Sequence, residues 1–229
     1  MALHPDFPSS PHVILDPSIR WFPADETLRD TSMDKLMPPL VTSLRKEVKK
    51  WRDSGYSGAS DTSRSLLNWW FTKKHMLPVS DGTLAEFKYY FAQREALETI
   101  IFLYDVVHVK DKFDLMRFDT VGVVSAGLFD EDWRRFVIKM ATGSGKTKVL
   151  SLVLAWSYFH KLYEPASQLA RNFLVITPNI IVLDRVYRDF KGLNIFFQDP
   201  VIPDNGFDGR DWHNDFQLTL HVQDNVNIT

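Results

Sequence analysis

The segment Arg135-Phe-Val-Ile-Lys-Met-Ala-Thr-Gly-Ser-Gly-Lys-Thr147 reads as a buried strand, a tight phosphate-cradling loop and the first turn of a helix. Phe136, Val137 and Ile138 form a short apolar, partly β-branched run of the kind an interior parallel strand requires, and the chain then breaks at Gly143 and Gly145. Glycine takes positive φ without a Cβ penalty, so successive N–H groups between Thr142 and Thr147 can turn inward around phosphate oxygens. Lys146 opens the helix, where the positive end of the macrodipole already favours an anion and an ammonium can reach β- and γ-phosphates. Thr147 adds a hydroxyl for Mg²⁺. The expected ligand set for ATP and Mg²⁺ is therefore Thr142, Gly143, Ser144, Gly145, Lys146 and Thr147, with Lys146 and Thr147 catalytic and Thr147 on the metal. The consensus G-x-x-x-x-G-K-[ST] is not fully met, because Met140 stands where its first glycine would be.

The 229 residues allow one large domain or one and a half ordinary ones, and 45% apolar content is enough for a true core. A formal charge of -2 provides no bulk attraction to nucleic acid, so any such contact must come from local basic groups and backbone donors. The absence of cysteine excludes disulfides and Cys-ligated zinc. The first residues lack a basic head followed by an apolar run, and the most apolar stretch, Val149 to Trp156, is far short of the ~20 residues of a membrane span. A cytoplasmic protein with no membrane contact is the expectation.

Taken in order, residues 1–33 carry Pro5, Pro8, Pro11, Pro17 and Pro23 and read as an extended arm with one short strand at Val13–Leu15. A helix is expected from about Met37, with Leu40, Leu44, Val48 and Trp51 on one face and Gly55 ending it. Arg45, Lys46, Lys49 and Lys50 cover the rest of its surface, a run that is ordinarily solvated and only secondarily a phosphate-tracking face. Asp61 is the expected N-cap of a second helix running to about His75. Its adjacent Trp69, Trp70 and Phe71 cannot share one helix face, so at least one must pack beyond the main contact. A long helical pattern follows from about Leu84 to Val107. Lys110 to Trp133 reads as an insertion without an assigned role. Past the loop, Val149 to Tyr163 is apolar nearly all round, as for a helix with layers on both sides. Phe173-Leu-Val-Ile-Thr177 reads as the next interior strand, which completes the strand, loop, helix, strand crossover of a parallel α/β sheet. Thr177-Pro-Asn179 then opens a helix with Ile180, Leu183, Val186 or Tyr187, and Phe190 on one face. A rival reading takes Ile180-Ile-Val-Leu-Asp184 as a strand ending in a magnesium-holding acid, but Pro178 at the start and the continued spacing favour helix. Phe216 to Val222 alternates like a half-buried strand.

Met140-Ala-Thr-Gly-Ser-Gly-Lys-Thr147 resembles motif I of superfamily 2 helicases and translocases. Gln93, within Phe91-Ala-Gln-Arg-Glu-Ala96 upstream of it, resembles the Q motif of that superfamily. An isolated helical glutamine is ordinarily solvent-facing, but this resemblance implies contact with adenine, to which an amide offers both a donor and an acceptor. Thr177-Pro-Asn179 resembles motif Ia and implies that Thr177, Pro178 and Asn179 hold a nucleic-acid phosphate, with Arg185 and Arg188 as further candidates. Together with Leu154-Ala-Trp-Ser-Tyr-Phe-His-Lys161, Arg20-Trp-Phe-Pro-Ala-Asp25 and Trp51-Arg-Asp-Ser-Gly55, these phrases are similar to the Res subunit of type III-like restriction endonucleases.

That resemblance implies an α/β fold: a partial RecA-like P-loop NTPase parallel sheet preceded by a mainly helical N-terminal region with a Pro-rich arm. Residues 1–83 are then an accessory region and 84–229 an incomplete first motor domain, the front part of a longer enzyme. The implied function is the ATP-binding motor portion of a DNA-dependent ATPase or translocase of a restriction endonuclease, acting on double-stranded DNA beside a DNA-modifying methyltransferase subunit. The alternatives are a superfamily 2 helicase without a nuclease, or an inert nucleotide-binding or interaction fragment. No Asp-Glu pair follows a strand after motif Ia and no nuclease motif occurs, so the segment by itself is expected to be inactive.

Overall fold

The computed structural model describes residues 40–80, 82–119, 122, 137–141 and 143–222. The Pro-rich arm with Val13–Leu15, the Arg20–Asp25 phrase, most of the second half of the 110–133 insertion, Phe136 and Thr142 lie outside those residues. The chain divides into two compact units, Met1–Ser57 with Phe102–Val137, and Gly58–Ile101 with Ile138–Thr229.

In the first unit, α1 (Val41–Asp53) buries Val48 and Trp51, the face its apolar spacing marks. It starts later than expected, after Leu40 in a left-handed conformation (φ 71°), and Gly55 (φ 72°) follows its end. Trp51 is the centre of a small aromatic cluster with Tyr56 and Phe102, at centroid distances of 5.0 and 5.4 Å, and its indole N–H donates to the Ser57 carbonyl at 3.0 Å. Lys49 and Lys50 form i,i+4 and i,i+3 ion pairs with Asp53 and Glu47 on the exposed side, in line with a solvated basic face. A π turn, Phe102–Val106, precedes the short helix α4, Lys112–Met116, which opens on a capping box between Asp111 and Asp114.

The second unit carries the phosphate-loop sequence. Helix α2 (Asp61–Phe71) is capped by Ser60, whose hydroxyl accepts from the Ser63 N–H, so Asp61 is the first helical residue and not the cap. The helix stops at Phe71, because His75–Pro78 is a strand, β1, paired antiparallel with β2, Leu84–Phe87. The expected long helix is therefore shorter, α3 (Phe91–Ile101). Leu84 and Phe87 have helical i,i+3 spacing, but Gly82 at φ 82°, with the Val79 N–H donating to the Thr83 carbonyl, lets residues 84–87 fold back on β1.

Helix α5 (Lys146–Tyr163) is the core element, with Val149, Leu152, Ala155, Trp156 and Phe159 buried, and it packs on α2, α3 and α7 (Asn194–Phe197). Helix α6 (Ile180–Phe190) buries Phe190, and α8 (Trp212–Asp215) buries Trp212 against Phe159 at 4.8 Å. Residues 180–184 are helical, so the strand reading of Ile180–Asp184 does not hold.

The expected parallel sheet is not formed among the described residues, where the hairpin β1–β2 is the sheet present. Val137–Ile138, Phe173–Thr177 and Phe216–Val222 run as irregular chain. Leu174 and Ile176 are 85% and 83% exposed and Val137 is 77% exposed. A parallel strand is held by neighbours that arrive through long crossovers, so an apolar run without such neighbours stays unpaired whatever its β propensity. Among the described residues no helix is long and apolar enough to cross a membrane.

Candidate functional site

The loop before α5 has the backbone its glycines predict. Gly143 and Gly145 lie at φ 80° and 81°, and Gly145 is the N-cap of α5 with no side chain to cap it. Ser144 Oγ donates to the Ala141 carbonyl at 2.7 Å, closing the turn. Lys146 folds its ammonium back onto the loop, donating to the carbonyls of Met140 and Ala141 at 2.9 and 2.8 Å. Those acceptors are neutral, and anionic phosphate oxygens make stronger, charge-assisted bonds with the same donor. Thr147 is half-buried in the first helical turn, which contains no acidic residue. A flexible cation, a hydroxyl and an uncapped helix N-terminus fit a triphosphate with its magnesium ion.

Gln93 is brought to this loop. It is 5% exposed, its Nε2 donates to the Ser144 carbonyl at 3.1 Å, and its Oε1 accepts from the Tyr90 N–H at 2.9 Å. A Cβ placed on Gly145 would overlap the Gln93 amide, so a side chain there would displace Gln93 from the loop, on top of the strain of φ 81°. The glutamine is thus neither solvent-facing nor uncommitted. One N–H and one lone pair of its amide remain for a further partner.

Lys148 and Asp199 join the same neighbourhood and were not singled out by sequence. They form an ion pair with side chains 17% and 29% exposed. Burial pushes the Lys148 ammonium below the ordinary lysine range, and the negative charge of Asp189 opposes that shift. Asp199 precedes Pro200 and Val201, whose carbonyls accept from the indoles of Trp69 at 2.9 Å and Trp70 at 2.7 Å. The adjacent aromatics on α2 hinted at a second contact, but nothing in the local sequence identified its partner.

The motif Ia-like residues stand apart from these contacts. Asn179 caps α6 through its side chain, accepting from the Val182 N–H at 3.0 Å, and Thr177 Oγ1 donates to the Asn179 carbonyl at 3.5 Å. Pro178, Arg185 and Arg188 are exposed, and Arg188 Nε donates to the Asp184 carbonyl at 3.2 Å.

Residues 86–217 match the family described as type III restriction enzyme, res subunit. No curated protein and no solved structure matches the chain. The match takes in more than half of the 229 residues, including Gln93, the glycine loop and the Thr177–Asn179 turn. The chain therefore belongs to the type III restriction enzyme res-subunit family, whose fold is that of RecA-like, ATP-binding helicase motors.

Proposed function

We propose that this chain supplies the nucleotide-binding part of a DNA-dependent ATPase or translocase of a restriction system. The observation that carries the reading is the positive-φ glycine loop at the start of α5, with the Lys146 ammonium held on the loop carbonyls. In this reading Lys146 leaves Met140 and Ala141 for the β- and γ-phosphate oxygens, N–H groups from Thr142 to Thr147 orient the phosphates, and the Thr147 hydroxyl holds Mg²⁺. Mg²⁺ held there would neutralise phosphate charge while water attacks the γ-phosphate in line and the bond to the β-phosphate oxygen breaks, releasing ADP. Gln93 reads adenine with the amide capacity that Ser144 and Tyr90 leave unused.

DNA contact falls to Thr177, Pro178, Asn179 and Arg185, supported by the exposure of the α6 N-terminus and by the backbone donors a helix start provides. Double-stranded DNA and a methyltransferase subunit are the proposed partners. Residues 84–229 carry the motor elements and 1–83 an accessory region, whose helix α2 packs on α5. The test is Lys146→Ala in the complete enzyme. ATP turnover should vanish while the fold persists by circular dichroism, and unchanged turnover would remove the reading.

A further inference from the structure

The first turn of α5 forms against its own electrostatics. It starts on Gly145, carries Lys146 and Lys148 and has no acidic residue, so cations sit at the positive end of the helix and its first N–H groups lack a side-chain cap. Two contacts from elsewhere in the same unit oppose fraying. Gln93 holds the Ser144 carbonyl on one side, and Asp199 holds the Lys148 ammonium on the other.

The second contact is well supported. Lys148 and Asp199 are both largely withdrawn from water, so salt screens their attraction less than that of a surface pair. The Asp199 carbonyl accepts from the Val201 N–H at 2.7 Å, which folds the segment into a tight turn. The next two carbonyls are gripped by the Trp69 and Trp70 indoles, and Pro200, Val201 and Ile202 are buried. The position of the carboxylate is therefore set by α2, not by a free loop.

We propose that Lys148 and Asp199 are a positioning pair that orients Thr147, one residue earlier on the same turn, toward the magnesium ion of a bound nucleotide, with the two indoles as its support. The inference rests on the nucleotide-binding reading above. Magnesium demands near-ideal ligand geometry, whereas the long, flexible Lys146 tolerates a displaced turn. Loosening the turn costs the metal-dependent share of affinity and leaves the metal-free share.

The test titrates a fluorescent ATP analogue into the full chain, with EDTA and then with Mg²⁺, and reads the ratio of the two dissociation constants. Lys148→Met and Asp199→Asn should each reduce the Mg²⁺-dependent gain roughly tenfold, the scale found for contacts that orient metal ligands, and leave metal-free binding within about twofold. Lys148→Arg should keep the gain, and Trp70→Phe, which deletes one clamp N–H, should lose part of it. If Asp199→Asn does not fold, Asp199→Glu carries the test, because its extra methylene shifts the charge and should lower the gain in the same direction. An unchanged ratio in the Lys148 and Asp199 variants overturns the proposal. So does an equal loss with and without Mg²⁺, which would make the pair general support for the fold. Wild-type binding that is absent, or indifferent to Lys146→Ala, defeats the nucleotide reading and the positioning role together. Lys146-dependent binding beside an unchanged ratio defeats the positioning role alone.

Discussion

Gly143 and Gly145 share a backbone conformation but not a surrounding. Among the described residues, its chain neighbours aside, none comes within 4 Å of where a Gly143 Cβ would stand, whereas on Gly145 it would meet the Gln93 amide. Gly143→Ala should therefore cost only left-handed backbone strain, about 1–2 kcal/mol in urea unfolding. Gly145→Ala should cost that plus the Gln93–Ser144 bond, about 1 kcal/mol more, and should weaken nucleotide binding further. Equal losses at the two positions would show that the Gln93 contact carries no weight. Tyr89 offers a test of opposite sign: its hydroxyl is buried with no hydrogen-bond partner among the described residues, and burial pushes its pKa well up. Removing an unsatisfied buried hydroxyl relieves a desolvation cost, so Tyr89→Phe should be neutral or stabilise by up to about 1 kcal/mol in thermal melting. The aromatic run on α2 shows how far residue-scale reading reaches. That Trp69, Trp70 and Phe71 could not share one face followed from helix geometry. That the two indoles reach consecutive carbonyls while Phe71 turns to the Tyr89 ring at 5.7 Å did not.

Among the helices, the amphipathic periodicity of α1 and the all-round apolarity of α5 were enough to identify both, although of the four residues marked on α1 only Val48 and Trp51 are buried, Leu44 is half-buried and Leu40 precedes the helix. The hairpin escaped that approach. Its strands have four residues each, and Leu84 and Phe87 also fit one helical turn, so only pairing with His75–Pro78 separates the two states. Helix α6 leans on its cap, since Phe190 at its far end is its buried residue and Ile180 and Ile181 are 66% and 63% exposed. Asn179→Ala should cost α6 about 1 kcal/mol, visible as faster amide hydrogen exchange over residues 182–185. If exchange there is unchanged, the Asn179 side chain does not set the start of the helix, and its motif Ia-like role would have to rest on other groups.

Across the whole molecule, the apolar runs around the site have no partner layer among the described residues. Leu174 and Ile176 lie open on an irregular segment that pairs with no strand among the described residues, an arrangement that favours contact with another chain. Leu174→Lys with Ile176→Lys should reduce concentration-dependent light scattering of the 229-residue chain without lowering its melting temperature, and undiminished scattering would place the association elsewhere. The sequence by itself determined the glycine loop, the lysine and hydroxyl at the helix start, the long buried helix after them and the family, because each depends on residue types a few positions apart. The tertiary structure alone decided that Gln93 grips the Ser144 carbonyl, that Asp199 faces Lys148 and that the two indoles of α2 hold the turn between them. Among the described residues it also left Val137–Ile138 and Phe173–Thr177, expected in strands, without a strand partner. The division has a physical cause: loop conformation and helix periodicity are written in near neighbours, whereas a hydrogen bond, an ion pair or a parallel strand requires a partner that is distant in sequence and that local propensity cannot name.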